Sequence, residues 1–107
     1  MLKRFDLPPC PVEITLMLCG DRTKFLVVRD LLKGTKRFGE LQKSLGTSQK
    51  VLTEHLRIME EYKLLKRKVY AEVPPKVEYS LTDLGMNLKP IIDELYKWGA
   101  DYKQTTK

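Results

Sequence analysis

The stretch KRKVYAEVPPKVEYSLT, residues 66–82, decides the fold of this chain. Apolar and polar side chains alternate on both sides of Pro74 and Pro75, which is the pattern of half-buried β-strands. The apolar members are Val69, Ala71 and Val73 before the prolines and Val77, Tyr79 and Leu81 after them. Proline cannot donate a ladder hydrogen bond, so the pair belongs at a turn. The stretch therefore predicts a two-stranded hairpin, with strands over residues 66–73 and 76–81.

Helices are predicted before the hairpin, separated by glycines and capping residues. Pro11 suits the first turn of helix 1, and Asp21 and Ser48 are candidate N-caps. Gly34 and Gly46 lie just past the ends of helices 2 and 3. The predicted helices cover residues 10–20, 22–33, 38–45 and 49–65. The last two are joined by the tight turn GTS, and a helix-turn-helix followed by a hairpin is the order of a winged helix.

A long helix is predicted after the hairpin, capped by Thr82 and running to about residue 102. Its apolar residues form a heptad-like seam, and Pro90 inside it predicts a kink. The members of the seam are Leu84, Leu88, Ile91, Leu95, Trp98 and Tyr102. The expected fold class is α+β, mostly α: a winged helix-turn-helix domain with a two-stranded wing and N- and C-terminal dimerisation helices. The expected parts of this single domain are a flexible arm (1–9), a winged-helix core (10–81) and a dimerisation helix (82–104).

The composition of the chain limits the classes of function that it can have. The chain has 107 residues and a formal net charge of +6, so nucleic acid or an anionic surface is the first class of partner to test. Two cysteines and one histidine are too few for a disulfide scaffold or a Cys/His zinc site. No Gly-rich phosphate loop or nucleophile elbow occurs, so we expect no enzyme, metal or cofactor. The lack of a long apolar run or a secretory signal predicts a cytoplasmic protein without membrane contact.

The residues also resemble a known family. The segments CPVEITLMLCG, KRFGELQKSL, SQKVLTEHLRIMEEYKLLKRKVYAEVPPKVEYSLTDLG and LKPIIDELYKWG are similar to the HxlR-type bacterial winged-helix transcriptional regulators, a branch close to the MarR group. The resemblance covers roughly residues 10–99. It implies a homodimer that binds operator DNA and represses or activates a nearby gene, with repression as our expectation. The chain departs from the family pattern at GDRTK, where GGKW is frequent, and at Thr47, where many relatives have an apolar residue.

The outer face of helix 4 is the predicted recognition surface. Gln49 and Thr53 are suited to base edges, and Lys50 and Arg57 to guanine or phosphate. Ser48 caps the helix and joins this set, because the N-terminal half of a recognition helix enters the major groove. In the wing, Lys76, Lys66 and Lys68 are predicted to contact phosphates or the minor groove, and Lys36 and Arg37 are weaker phosphate candidates. The alternative is that these charged residues only form a solvated face.

Dimerisation is predicted from two apolar elements that lack cover, helix 1 and the C-terminal seam. Val12 and Leu16 of helix 1 and the seam can bury each other across a two-fold axis. Two-fold symmetry predicts an inverted-repeat operator. The alternative is that the seam packs only on its own domain.

Cys10 is a candidate sensor of electrophiles or oxidants. It precedes Pro11 at the start of helix 1, where free N–H groups stabilise negative charge, while Glu13 opposes this effect. Some relatives use the cysteine of the CP motif as a thiol switch, and the alternative is a small helix-start residue without a redox role. Cys19 is about 13 Å away by helical rise, too far for a disulfide within one chain, and is expected in the core. His55 is expected to be a satisfied core histidine.

Two other functions stay open. A winged helix can bind protein through the same surface, and exposed aromatic residues on helix 4 would favour that function. A regulator could instead respond to a small ligand between the core and the dimerisation helices, without redox sensing.

Overall fold

The computed structural model describes residues 7–105 and shows in them six helices and one three-stranded antiparallel sheet. The elements are α1 Pro11–Cys19, α2 Arg22–Leu31, β1 Lys36–Arg37, α3 Phe38–Leu45, α4 Gln49–Glu61, β2 Leu65–Tyr70, β3 Lys76–Leu81, α5 Asp83–Met86 and α6 Lys89–Thr105. The sheet order is β1-β3-β2. The predicted winged-helix fold is confirmed. The predicted flexible arm, residues 1–9, lies mostly outside the described residues.

The first two helices begin where capping chemistry predicts. Pro11 occupies the first turn of α1, where its missing N–H costs nothing. The side chain of Asp21 accepts a hydrogen bond of 2.9 Å from the backbone N–H of Lys24, so Asp21 is the N-cap of α2. α2 ends at Leu31, two residues before the predicted end, and the chain then turns at Gly34, which has φ of 141°.

Helix α4 ends at Glu61, so the prediction that it continues to residue 65 is wrong. Lys63 adopts φ of 64°, in the left-handed region, directly after the C-cap Tyr62. The N–H of Leu64 donates to the carbonyl of Met59 (2.9 Å), and the N–H of Lys63 donates to that of Glu60 (3.0 Å). This pair of bonds is a Schellman motif, which usually places glycine at the left-handed position. The chain leaves the helix there and enters β2.

The wing departs from the prediction at its tip and at its edge. β2 ends at Tyr70 rather than residue 73, because the chain turns away at Glu72, whose N–H donates to the carbonyl of Tyr70 (2.9 Å). Val69 and Val73 are exposed, so the outer part of this strand is not half-buried as predicted. β1, which was not predicted, pairs with β3 and makes the sheet three-stranded.

The C-terminal segment is two helices, so the prediction of one kinked helix is wrong. Thr82 is the N-cap as predicted, with its hydroxyl accepting from the N–H of Gly85 (3.1 Å). α5 then lasts only four residues, and α6 begins at Lys89 with Pro90 in its first turn. Proline is tolerated in a first turn and is disruptive further inside a helix, so the break falls just before it.

The core lies between α2, α3, α4 and the base of the sheet. Its members are Cys19, Val27, Val28, Leu31, Leu41, Leu45, Leu52, Leu56, Met59, Leu64, Leu65 and Leu81. The segment after β3 docks on the turn at the end of α4, where Thr82 donates to the carbonyl of Lys63 (2.6 Å) and Gly85 packs against Leu64. In contrast, α6 has no buried residue. Ile92 of α6 is half-buried against the core, while most of this helix of 17 residues is exposed in the single chain.

Candidate nucleic-acid interface

The turn between α3 and α4 sets the position of the recognition helix. Gly46 takes φ of 62°, which glycine adopts without strain, and ends α3. The side-chain amide of Gln42 donates to the carbonyl of Thr47 (3.5 Å) across the turn. The hydroxyl of Ser48 accepts from the N–H of Val51 (3.1 Å), which confirms the predicted N-cap of α4. The turn is thus stabilised by its own short-range contacts.

Helix α4 has a buried face and an exposed polar face. Leu52, Leu56 and Met59 are buried in the core. On the outside, five exposed side chains line one shallow depression of about 460 Å³: Gln49, Lys50, Thr53, Glu54 and Arg57. We call Gln49, Lys50, Thr53 and Arg57 the recognition face. The structure brings these four predicted residues together, with Glu54 among them.

A carboxylate lies close to Arg57, one of the basic side chains of α4. Nη1 of Arg57 is 3.5 Å from Oε2 of Glu61, one turn further along the helix. Both side chains are largely exposed, and exposed ion pairs contribute about 0–1 kcal/mol. A phosphate group can therefore replace Glu61 at Arg57 at little cost.

Strand pairing decides which basic residues of the wing share a surface. Residues directly opposite each other in a sheet have their side chains on the same face. Lys68 and Arg37 both pair with Glu78, Lys66 pairs with Ser80, and Lys76 pairs with Tyr70. The wing face, as we use the term, comprises Arg37, Lys66, Lys68 and Lys76. Lys36 instead pairs with Tyr79, so it lies on the opposite face.

Glu78 is the one carboxylate among the paired residues of the wing face, and it is surrounded by partners. Its Oε1 accepts a hydrogen bond of 2.8 Å from the hydroxyl of Tyr70, and its Oε2 is 3.4 Å from Nζ of Lys76. The hydrogen bond from Tyr70, helped by the charges of Lys76 and Lys68, holds the pKa of Glu78 below its ordinary value. Glu78 is therefore ionised at neutral pH. The ammonium groups of Lys68 and Lys76 each lie 4.9 Å from the centre of the Tyr70 ring.

Arg67 is a functional candidate that the sequence analysis missed. Its Nε is 3.7 Å from Oε2 of Glu60 at the end of α4. With Arg57 and Thr53 of the recognition face, it lines a cleft of about 240 Å³ between α4 and the wing. In the run KRK at residues 66–68, alternation places Arg67 on the inner face of the sheet, opposite to the two lysines on which the sequence prediction rested. The basic triplet was the signal that could have indicated it.

His55 connects two helices rather than sitting in the core. Its Nδ1 is 2.8 Å from the carbonyl oxygen of Val51, and its Nε2 is 3.5 Å from the carboxylate of Asp21. The side chain is half-buried. The expected satisfaction of its ring nitrogens is confirmed, and the expected burial holds only in part.

The two cysteines differ in environment. Cys10 is exposed and is the N-cap residue of α1, where its carbonyl accepts from the N–H of Ile14 (3.1 Å). Cys19 is buried, as predicted, and its Sγ donates to the carbonyl of Thr15 (3.4 Å). Burial raises the pKa of the Cys19 thiol, with the charge of Lys24 acting in the opposite direction. Cys10 is therefore the accessible thiol.

The predicted dimerisation residues form exposed apolar surface on the single chain. Trp98 is 69% exposed and Leu95 is 49% exposed, and the ring of Trp98 stacks on that of Tyr102 at 5.4 Å. The other exposed members are Val12, Leu16, Leu84 and Ile91. Leu88 differs, because it is half-buried against the core of its own chain. We call the exposed set the apolar face.

A small cavity of about 160 Å³ lies beneath α5, beside α1. Leu18, Leu64, Leu84, Leu88 and the buried Cys19 give it an apolar lining, with Thr15 and Asn87 as polar residues. Over residues 7–105 no three metal-ligating side chains come together as a metal site would require. Nor does any helix in that part of the chain have the length and apolar character to cross a bilayer.

Comparison with known families and sequences agrees with this geometry. The family model described as HxlR-like helix-turn-helix matches residues 18–107. The uncharacterized HTH-type transcriptional regulator YdeP of Bacillus subtilis (strain 168) is 43% identical over 99 residues, which are 92% of this chain and 77% of YdeP.

Solved structures of similar fold include a redox regulator in two states. The oxidized form of HypR is 41% identical with a TM-score of 0.81, and the match covers 86% of this chain and 96% of HypR. The reduced form is 38% identical with a TM-score of 0.85, and the match covers 90% of this chain and 96% of HypR.

Proposed function

Because the chain belongs to the HxlR-like helix-turn-helix family of transcriptional regulators, we propose that it binds operator DNA sequence-specifically as a homodimer. The observation that carries this proposal is the presence of two exposed basic surfaces, the recognition face on α4 and the wing face on the hairpin that directly follows α4. Relatives named as regulators support a binding function over an enzymatic one.

Each surface has its own task in this proposal. The N-terminal half of α4 enters the major groove, where Gln49 and Thr53 contact base edges and Lys50 and Arg57 contact guanine or phosphate. Ser48 orients that end of the helix. The wing face contacts phosphates and so positions the protein without reading sequence. Arg67, in the cleft between α4 and the wing, joins this set as a phosphate contact. Lys36 pairs with Tyr79 as Arg67 does, so it lies on the same face of the sheet as Arg67 and stays a weaker phosphate candidate.

The exposed apolar face supports the proposed homodimer. A helix with no buried residue and an exposed Trp-Tyr stack has a large hydrophobic surface in water, and such surfaces mark interfaces. When α6 and α1 of one chain pack against α6 and α1 of a second chain, the apolar faces of both chains are buried together. A two-fold dimer presents two recognition helices, which favours an inverted-repeat operator. The proposed outcome at the promoter is repression, because the bound dimer occupies DNA that the transcription machinery needs.

Cys10 is the proposed switch. It is exposed at the start of α1, the helix that carries Val12 and Leu16 of the apolar face, so a change at its sulfur can act on the dimer through α1. Two Cys10 thiols of a dimer can form a disulfide by giving two electrons and two protons to an oxidant such as diamide. A mixed disulfide with a small thiol is the alternative product. The likeness to HypR, solved in oxidized and reduced forms, supports this part of the proposal.

The test is to recover the genomic fragments that the purified protein retains, with and without diamide. We expect a shared inverted repeat in the retained fragments. Arg57→Ala and Lys50→Ala should lower affinity for it, while Lys97→Ala on α6 removes the same charge and should leave affinity unchanged. Diamide should release DNA from the wild type and not from Cys10→Ser. Retention of no fragment would contradict the proposed function, and equal responses to diamide would remove Cys10 from it.

A protein-interaction module is the alternative from a different class. The structure provides the feature that distinguishes the two, because the recognition face carries no aromatic residue. The exposed aromatics, Tyr96, Trp98 and Tyr102, lie on α6 instead. This arrangement supports DNA as the partner of α4.

A second mode of control is favoured by the cavity beneath α5. Its volume and apolar lining suit a small apolar ligand, and such a ligand would touch Leu84 of the apolar face. Loss of DNA binding on addition of small aromatic compounds, retained in Cys10→Ser, would support this mode over the thiol switch.

A further inference from the structure

We propose that Tyr70 positions the lysines of the wing for DNA: its ring holds the ammonium groups of Lys68 and Lys76, and its hydroxyl fixes Glu78 beside them. The inference rests on the proposed DNA-binding function and deepens it. It makes Tyr70 a positioning residue, which acts through the two lysines rather than by touching DNA itself.

Strand register brings these four side chains together. Tyr70 is directly opposite Lys76, and Lys68 is directly opposite Glu78. Lys68 and Tyr70 are two residues apart on β2, so they share a face of the hairpin. Nζ of each lysine lies 4.9 Å from the ring centre, within the range of a cation–π contact. The two ammonium groups are therefore within about 10 Å of each other on one side of the wing.

Holding two lysines close together needs compensation, because like charges repel. The negative face of the tyrosine ring and the carboxylate of Glu78 provide it. The result is a lysine pair whose side chains are already restrained in the free protein. A lysine that is restrained beforehand loses less rotamer freedom when it binds a phosphate, so its contact contributes more to affinity.

The hydroxyl of Tyr70 has a separate role at Glu78. Nζ of Lys76 is 3.4 Å from one carboxylate oxygen of Glu78, so a phosphate must compete with Glu78 for this lysine. Tyr70 donates to the other oxygen at 2.8 Å. Glu78 therefore keeps a hydrogen-bond partner when Lys76 moves to the phosphate. This bond lowers the cost of exchanging the internal ion pair for a contact with DNA.

The experiment measures affinity for one duplex fragment retained by the wild type, by fluorescence anisotropy over a series of salt concentrations. The variants are Tyr70→Leu, Tyr70→Phe, the double variant Lys68→Ala with Lys76→Ala, and that double variant combined with Tyr70→Leu. Tyr96→Leu is the matched control, since Tyr96 is an exposed tyrosine on α6.

Tyr70→Leu should weaken binding by about fivefold to thirtyfold, the effect of losing two exposed cation–π contacts. Tyr70→Phe keeps the ring and loses only the hydrogen bond to Glu78, so it should weaken binding by about twofold, less than Tyr70→Leu does. In the background that lacks both lysines, Tyr70→Leu should cause no further loss. This last readout separates positioning from a structural role, because a deformed wing would weaken binding in either background.

Four results overturn the inference. If the Tyr70→Leu variant binds DNA as tightly as the wild type, Tyr70 does not position the lysines, while the proposed DNA-binding function stands. An equal loss with and without the lysines makes Tyr70 structural, and a loss in Tyr70→Phe as large as in Tyr70→Leu shows that the ring is not responsible. A wild type that retains no duplex fragment overturns the proposed function itself, and this inference with it.

Discussion

Replacing Ser48 by alanine should lower the free energy of unfolding by about 1 kcal/mol, the typical value of an N-cap. The hydroxyl of Ser48 accepts from the N–H of Val51 at 3.1 Å, and the first turn of α4 carries no acidic side chain that could substitute. Alanine leaves that N–H to water and also loses the preference of serine for the extended backbone of the cap. Ser48→Gly should lose only a few tenths of a kcal/mol, because glycine is itself a tolerated N-cap.

The assay is urea and thermal unfolding followed by circular dichroism at one fixed protein concentration, since an associating protein unfolds in a concentration-dependent way. For a domain of this size, about 1 kcal/mol corresponds to a decrease in Tm of roughly 4–8 °C. Ser44→Ala is the matched control. Ser44 is exposed, and its hydroxyl accepts a long hydrogen bond of 3.5 Å from Nη2 of Arg29, so this variant should lose at most about 0.5 kcal/mol of stability. Equal stabilities for Ser48→Ala and Ser44→Ala would refute the capping argument.

Three further predictions concern the docking segment, the apolar face and the wing. Gly85→Ala should destabilise the fold by about 1–3 kcal/mol in urea, because its methyl group would overlap the carbonyl of Leu64, whereas Gly99→Ala on α6 has open space and should not destabilise. Leu95→Glu should turn the proposed dimer into a monomer in sedimentation equilibrium, and a wild type of single-chain mass, 12.5 kDa, would contradict the dimer. The pKa of Glu78 is lower in the folded state than in the unfolded state. The ionised carboxylate therefore stabilises the fold fully above the unfolded-state pKa, and this stabilisation is lost as the pH falls through the folded-state pKa. The stability advantage of the wild type over Glu78→Gln should thus be constant from pH 7 to about pH 5 and shrink in more acidic solution; an advantage that shrinks above pH 5 would contradict this.

The elements that the sequence predicted well are those with a local chemical signature. Asp21, Ser48 and Thr82 each accept the backbone hydrogen bond that their position predicts. Gly46 ends α3 in the left-handed conformation. The double proline separates two strands, with the inner residues of β3 facing the core. Each of these signals acts within a few residues, so it can be interpreted from the sequence without knowledge of tertiary contacts.

The errors arose where long-range packing decided the outcome. A left-handed Lys63 ends α4, and nothing about lysine predicts that conformation; burial of Leu64 and Leu65 in the core favours it. β1 has two residues, too few to show alternation, and exists because β3 offers a free edge. The break before Pro90 follows the docking of Gly85 on the turn at Leu64, which the heptad spacing could not indicate.

Most basic residues of the candidate site could be predicted from the sequence, but Arg67 and the acidic partners of the arginines could not. The four residues of the recognition face follow from helical periodicity alone. The placement of Lys36 away from the wing face depends on strand register, which only the paired sheet defines. The ion pairs of Arg57 with Glu61 and of Arg67 with Glu60 join residues whose side chains all looked solvent-exposed in the sequence. These acidic partners matter because DNA must displace them.

The most direct test of the account is the salt dependence and stoichiometry of binding to a retained duplex fragment. Two chains that each place two wing lysines on phosphates make at least four phosphate contacts, so log K against log salt should have a slope of about −4 or steeper. We predict this slope together with saturation at two chains per fragment. Binding that does not weaken with salt, or saturation at one chain per fragment, would contradict a homodimer that holds DNA through α4 and the wing.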